Sequence, residues 1–190
     1  MTTDEQIEKL KEVLRIANEA AVSDDIVRKM GAVTLYAGLV DFYTIQAARL
    51  IEQVILKSQR ALGEKPRFAP SPDSYFYDNK VDTRKVVSII KKKILPFRTG
   101  SPGSVEATNQ ANIFAQELIK KTDKFLGYRA RIIHHLGSPK MTLGELNTLC
   151  DKAIRAYDDF RRAHTAFFEA VQPYRFGMKE SQYFYGSHEH

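Results

Sequence analysis

The chain has 190 residues, of which 43% are hydrophobic and 27% are charged. This balance excludes a wholly disordered chain and a collagen-like chain, and the length fits a single folded domain. Twenty-nine basic residues against 23 acidic ones give a formal charge of +6, which permits an anionic partner without requiring one.

The first two predicted helices follow from the spacing of apolar residues. These recur at helical intervals from Ile7 to Ala21, and a second run that is apolar on nearly all sides extends over 26–56. Ser23, Asp24 and Asp25 precede this second run and can cap its start. Gly31 and Gly38 lie seven residues apart on one face of this second helix, where the missing side chains are predicted to let another helix pack closely. We therefore expect the second helix to be central.

The middle of the chain combines a long loop with a short helix. Residues 63–81 contain three prolines and no helical period, which predicts a loop. Asp82 then caps a predicted short basic helix over 83–94, which ends before Pro96. Basic and aromatic residues are mixed in the loop; they can stack single-stranded bases or simply fix the loop onto the bundle.

Two further helices are predicted in the last part of the chain. One should run from about Val105 to Leu136, and the other begins after a capping box formed by Thr142 and Glu145 and ends before Pro173.

The tail of 172–190 is aromatic and irregular, and we expect it to pack back over the bundle. Neither a strand pattern nor an internal repeat is found. The sequence thus predicts an all-α, up-and-down bundle of about five helices, two or three of them long, in one domain of residues 1–171.

Cellular location is inferred from cysteine content and from the N-terminus. Cys150 is the only cysteine, so an intrachain disulfide cannot form, and the acidic N-terminus lacks the pattern of a secretory signal. Polar residues interrupt the most apolar stretch, 32–56, which excludes a membrane span there. We therefore expect a cytoplasmic protein without a membrane partner.

One charged residue stands within the apolar stripe of the predicted fourth helix. Arg129 lies between Phe125 and Ile132 at helical spacing. A charge on a core-facing position is costly unless it is paired. Arg129 should therefore form an ion pair with an acid such as Asp41 on the second helix, extend its charged end into solvent, or face a cleft or a partner subunit.

The stretch FLGYRARIIHHLG resembles the HEPN superfamily, small helical-bundle proteins marked by an Arg, four to six intervening residues and a His. Arg129 and His134 match this motif with four residues between them, and His135 would match with five. The long apolar helix that carries Asp41 is also similar to the family. Ala130 departs from the pattern, because the family often has a polar residue directly after the Arg.

The resemblance implies a homodimer, because active members bring the motifs of two protomers together and cut RNA without a metal or cofactor. It also implies a metal-independent endoribonuclease, or an RNA-binding or nucleotide-binding module, in a defence or toxin–antitoxin system. The His would transfer protons at the ribose and the leaving oxygen, and the Arg would stabilise charge on the phosphate. Because five positions along a helix turn side chains by about 140°, a second subunit or an unwound helix end must complete the site.

Two alternatives remain open from the residues themselves. His135 follows Arg131 by one turn on the same face, and Arg131 with Lys124 belongs to a basic surface that an RNA backbone could follow. The other alternative is a non-catalytic bundle that binds another protein, or itself, through the second helix. A ribonuclease requires Arg129 and a histidine exposed together in a cleft, whereas the non-catalytic protein leaves Arg129 sealed with Asp41.

Other reactive side chains are interpreted as structural. Neighbouring histidines on a helix point about 100° apart, so His134 and His135 are not expected to bind a metal without a third ligand. His164 and Cys150 fall on the apolar face of the last helix, and we expect both to be packing residues.

Overall fold

A computed structural model describes residues 3–61, 102–136, 138 and 140–171. These residues contain four helices and no strand, which confirms the all-α prediction for this part of the chain. The helices are α1 (Thr3–Ala21), α2 (Ile26–Ala61), α3 (Pro102–His135) and α4 (Leu143–Val171).

The described residues account for four of the about five predicted helices, and the remaining one is the short basic helix. That helix, the loop of 63–81 and the tail of 172–190 lie outside the described residues. The predicted boundaries of the other helices agree with the structure to within a few residues, except that α2 continues five residues beyond the expected end.

Two helix starts use the caps that the sequence indicates. The Asp25 carboxylate accepts a hydrogen bond from the Val27 N–H at 2.8 Å at the start of α2. Before α4, Glu145 Oε2 accepts from the Thr142 N–H at 2.8 Å, and Thr142 Oγ1 accepts from the Glu145 N–H at 3.2 Å. Each bond satisfies an N–H group that has no partner within the helix.

Helix α2 packs against each of the other three helices and is central, as predicted. Lys29 Nζ lies 2.8 Å from the Asp151 carboxylate, and the Tyr36 ring stacks on Tyr157 seven residues further along α2. Helices α2 and α4 therefore run parallel, with α1 and α3 antiparallel to them. The turn 22–25 and the described residues of the turn before α4, which are 136, 138 and 140–142, consequently lie at the same end of the bundle, here called the turn end.

The core is aromatic and lies mainly where α2 and α3 meet α4. Phe125, Tyr157, Phe160 and Phe167 are completely buried. Burying a side chain of this size contributes about 1.5–3 kcal/mol relative to exposing it, so these residues account for much of the packing between helices.

The two residues interpreted as structural are part of this core. His164 is buried, and its ring lies 4.7 Å from the Tyr43 ring and 4.6 Å from the Phe168 ring. Cys150 is completely buried, and this burial raises the pKa of its thiol, with the Asp151 carboxylate adding to the rise. A neutral, protonated thiol suits a packing role.

The glycines of α2 do not have the role that the sequence predicts within this bundle. Gly31 and Gly38 are exposed, and a Cβ added at either would meet no atom of the described neighbours within 4 Å. Because α2 is apolar on nearly all sides, its sequence does not reveal which side faces inward. The bundle uses the opposite side, which carries Tyr36 and Val40, and the expected close packing at the glycines is wrong for the described helices.

None of the helices that the structure describes combines the length and the apolar character needed to cross a membrane.

Candidate functional site

The Arg and His motif lies on the last two turns of α3, at the turn end. Arg129 occupies the core-facing position that its spacing predicts, since Phe125, Leu126 and Ile132 around it are buried. Its own side chain is only partly buried. The packing of the described bundle thus does not seal Arg129 in the core.

Asp41 is not the partner of Arg129. Among the described residues, the ion pairs do not include Arg129. Asp41 lies 15 residues into α2, about 22 Å from the turn end by helical rise, whereas Arg129 lies six residues before the end of α3, about 9 Å from it. This difference in height explains why the two charges do not meet.

One chain does not bring Arg129 and His134 together. Helix α3 remains helical as far as His135, so the two side chains keep the divergence of about 140° that five helical positions impose. His134 is exposed. A site that uses both residues therefore needs a second chain or a substrate that wraps around the helix.

Arg131 and His135 do share a surface. Both are exposed and stand one helical turn apart, with Cβ atoms about 6 Å from each other by helix geometry. These two residues can contact one phosphate from the same side, and they form the more compact of the two candidate pairs.

Lys124 is already engaged between helices. Its Nζ lies 3.2 Å from Asp159 Oδ2, and Arg162 also binds this carboxylate. The hydrogen bond from Lys124 is the main cause that lowers the pKa of Asp159. A phosphate bound at Lys124 would have to compete with Asp159. We therefore interpret Lys124 as a residue that joins α3 to α4 and not primarily as a ligand-binding residue.

An open groove of about 580 Å³ lies elsewhere, between the N-terminal half of α3 and the C-terminal half of α4. Its walls include Ile113, Lys120 and Ala166 and none of the motif residues. Within the described residues, three or more His, Cys, Asp or Glu side chains are nowhere grouped as a metal would require.

Sequence reasoning missed a polar cluster between α2 and α4 near the turn end. Lys29 Nζ donates to Asn147 Oδ1 at 3.0 Å and to Asp151 Oδ1 at 2.8 Å, with only 11% of the Lys29 side chain exposed. The spacing could have predicted that Lys29 faces the bundle, because Lys29 precedes the buried Tyr36 by seven residues and so lies on the same face of α2. This cluster fixes the register of α2 against α4.

Compared with protein-family models, with curated proteins and with solved structures, the chain matches none of them.

Proposed function

We propose that this protein is a helical bundle that pairs with a second copy of itself through the outward face of α2. The observation that carries the proposal is the pair of exposed glycines, Gly31 and Gly38, in open space on a helix that is otherwise rich in apolar residues. Such a surface has no role in the packing of the described bundle.

The rest of this face is also suited to a helix. Val27 is 70% exposed, and Ile45 on the same side is only partly buried. The positions 27, 31, 34, 38, 41 and 45 follow alternating steps of four and three residues, which is the spacing of a seam between two supercoiled helices, with Thr34 and Asp41 as its polar positions. Two glycines in this seam let the backbones approach closely.

A second copy is the partner that the spacing favours. Homodimers with two-fold symmetry use the same surface on both subunits. If the two α2 helices run parallel, each glycine meets its own copy; if they run antiparallel, Gly31 meets Gly38. The glycines therefore match in either direction, and the antiparallel pairing also keeps the two Asp41 carboxylates apart.

The test uses Gly31→Leu and Gly38→Leu, measured by light scattering after size-exclusion chromatography over a range of concentrations. Leucine has a higher helix propensity than glycine, so folding should not suffer, while its side chain blocks the close approach of a second helix. We expect a wild-type dimer and monomeric variants. Gly127→Leu is the matched control, because Gly127 is an exposed glycine of α3 with the same open space.

A monomeric wild type at high concentration would contradict this proposal, and so would dimers that persist in both α2 variants.

We propose RNA cleavage without a metal as a second candidate function, in line with the resemblance to the HEPN superfamily. It is favoured by the exposed Arg131 and His135 on one face and by the absence of an ion pair between Arg129 and Asp41 among the described residues. The chemistry needs a neutral His to take the ribose proton and an Arg beside the phosphate.

The experiment is cleavage of a mixed RNA pool in the presence of EDTA by the wild type, Arg129→Ala, His134→Ala and the double variant Arg131→Ala/His135→Ala. Loss of cleavage in the first two variants places the site at the family motif, and loss in the double variant alone places it at the runner-up pair. An inactive wild type at high concentration would refute this function and leave self-association unaffected.

A further inference from the structure

The exposed aliphatic side chains of the bundle are concentrated at the turn end. Of the seven large hydrophobic side chains that the described residues expose, five lie in or beside the two turns. The five are Val22 at 85% exposure, Leu143 at 74%, Val27 at 70%, Ile133 at 57% and Leu136 at 54%. Such clustering marks an interaction surface, because exposed aliphatic residues are normally scattered.

The side chains around the second turn are basic. Residues 129–144 carry Arg129, Arg131 and Lys140 together with two histidines, and they contain no acidic residue. The acids at this end lie around the first turn and at the start of α4: Asp24 and Asp25 belong to the turn 22–25, where Asp25 caps α2, and Glu145 closes the capping box of α4. Exposed aliphatic side chains and cations are therefore mixed around the second turn.

Three kinds of partner can be compared by how well they suit a surface of aliphatic and basic side chains. A second copy would place the cations of this turn against the same cations, which is unfavourable. An RNA backbone would use Arg131 and Lys140 but has no use for exposed Leu136 and Leu143, since bases stack on aromatic and not on aliphatic side chains. An anionic lipid surface uses both, because aliphatic side chains enter the boundary of headgroups and acyl chains while cations lie among the phosphates.

We propose that the turn end is a docking surface for an anionic lipid bilayer, with Leu136 and Leu143 entering the headgroup boundary beside Arg131 and Lys140. No helix needs to span the membrane for this contact. The proposal departs from the sequence-based expectation of no membrane partner. That expectation considered only a span, and the exposure of these aliphatic residues depends on how the helices pack.

The test is co-sedimentation of the full chain with phosphatidylcholine vesicles, with and without phosphatidylglycerol. We expect binding that depends on phosphatidylglycerol and falls about fivefold for each of Arg131→Gln and Lys140→Gln. The double variant Leu136→Gln/Leu143→Gln should bind about tenfold less. All four substituted side chains are exposed, so the fold should be retained, and circular dichroism checks this.

The matched controls are Ile113→Gln and Lys120→Gln, which change an exposed aliphatic side chain and an exposed cation on α3, about six and four turns away from the turn end. Both should bind vesicles like the wild type. Absence of vesicle binding would overturn the proposal, as would binding that survives the double leucine variant. Binding of RNA alone, or a dimer lost in the leucine variant, would instead assign this surface to nucleic acid or to a second copy.

Discussion

Two stacked tyrosines at the centre of the bundle are expected to respond in opposite directions to the same substitution. The rings of Tyr36 and Tyr157 stack with centroids 3.8 Å apart. The Tyr36 hydroxyl donates a hydrogen bond to Asn18 Oδ1 at 2.8 Å. The Tyr157 hydroxyl is buried and has no hydrogen-bond partner among the described residues.

The expected change in the free energy of unfolding depends on whether each hydroxyl has a hydrogen-bond partner. Burying a hydroxyl without a partner costs about 1–3 kcal/mol, so Tyr157→Phe should raise the free energy of unfolding by about 1 kcal/mol. For a chain of this length that corresponds to a rise in Tm of about 2–4 °C. Tyr36→Phe removes one hydrogen bond and should lower the free energy of unfolding by about 1 kcal/mol.

Urea unfolding followed by circular dichroism measures both variants against the wild type at neutral pH. Each variant loses the same single oxygen from the same kind of ring, so the two control each other for changes in aromatic packing. If Tyr157→Phe is destabilised by as much as Tyr36→Phe, the hydroxyl of Tyr157 makes a bond in solution, and the reasoning from its burial is refuted.

Three further predictions concern the same region of the bundle. Burial is the main cause that raises the pKa of Tyr36 from 10.0 to about 12, and burial also raises the pKa of Tyr157. The contribution of these neutral hydroxyls to the free energy of unfolding is therefore fully present below pH 10 and is lost as the pH rises towards 12. Urea midpoints that do not fall over this pH range would contradict the prediction. Lys29→Met should lower the free energy of unfolding by about 1–2 kcal/mol, because Asp151 and Asn147 lose their donor, whereas the exposed Lys152→Met should have no effect in the same urea titration. Cys150 should react with a thiol reagent only after unfolding, because it is completely buried; rapid labelling of the native protein would show that the packing of α4 opens readily.

Much of the helical architecture could be read from local patterns. The capping box of Thr142 and Glu145 and the cap at Asp25 act within a few residues, so their sequence signals predicted the start of α4 and of α2. The apolar stripe of α4 likewise predicted that His164 and Cys150 would be buried. Helical periodicity alone placed Arg129 on the core-facing side of α3 and Arg131 with His135 on one face.

The candidate site was only partly predictable. The sequence could not decide whether Arg129 meets Asp41, because that depends on the heights of two helices relative to each other. Nor could it show that Lys124 is held by Asp159, a contact between residues 35 positions apart.

The local sequence thus determined which segments are helical, where helices begin and which face of α3 and α4 is apolar, since these depend on interactions over one or two turns. The tertiary structure decided which side of α2 is covered, and so left Gly31 and Gly38 facing outward. It also brought the turn 22–25 and the described residues of the turn before α4 to one end and exposed their aliphatic residues there. The physical reason is that an almost uniformly apolar helix can bury any of its sides, and only contacts between distant segments select one.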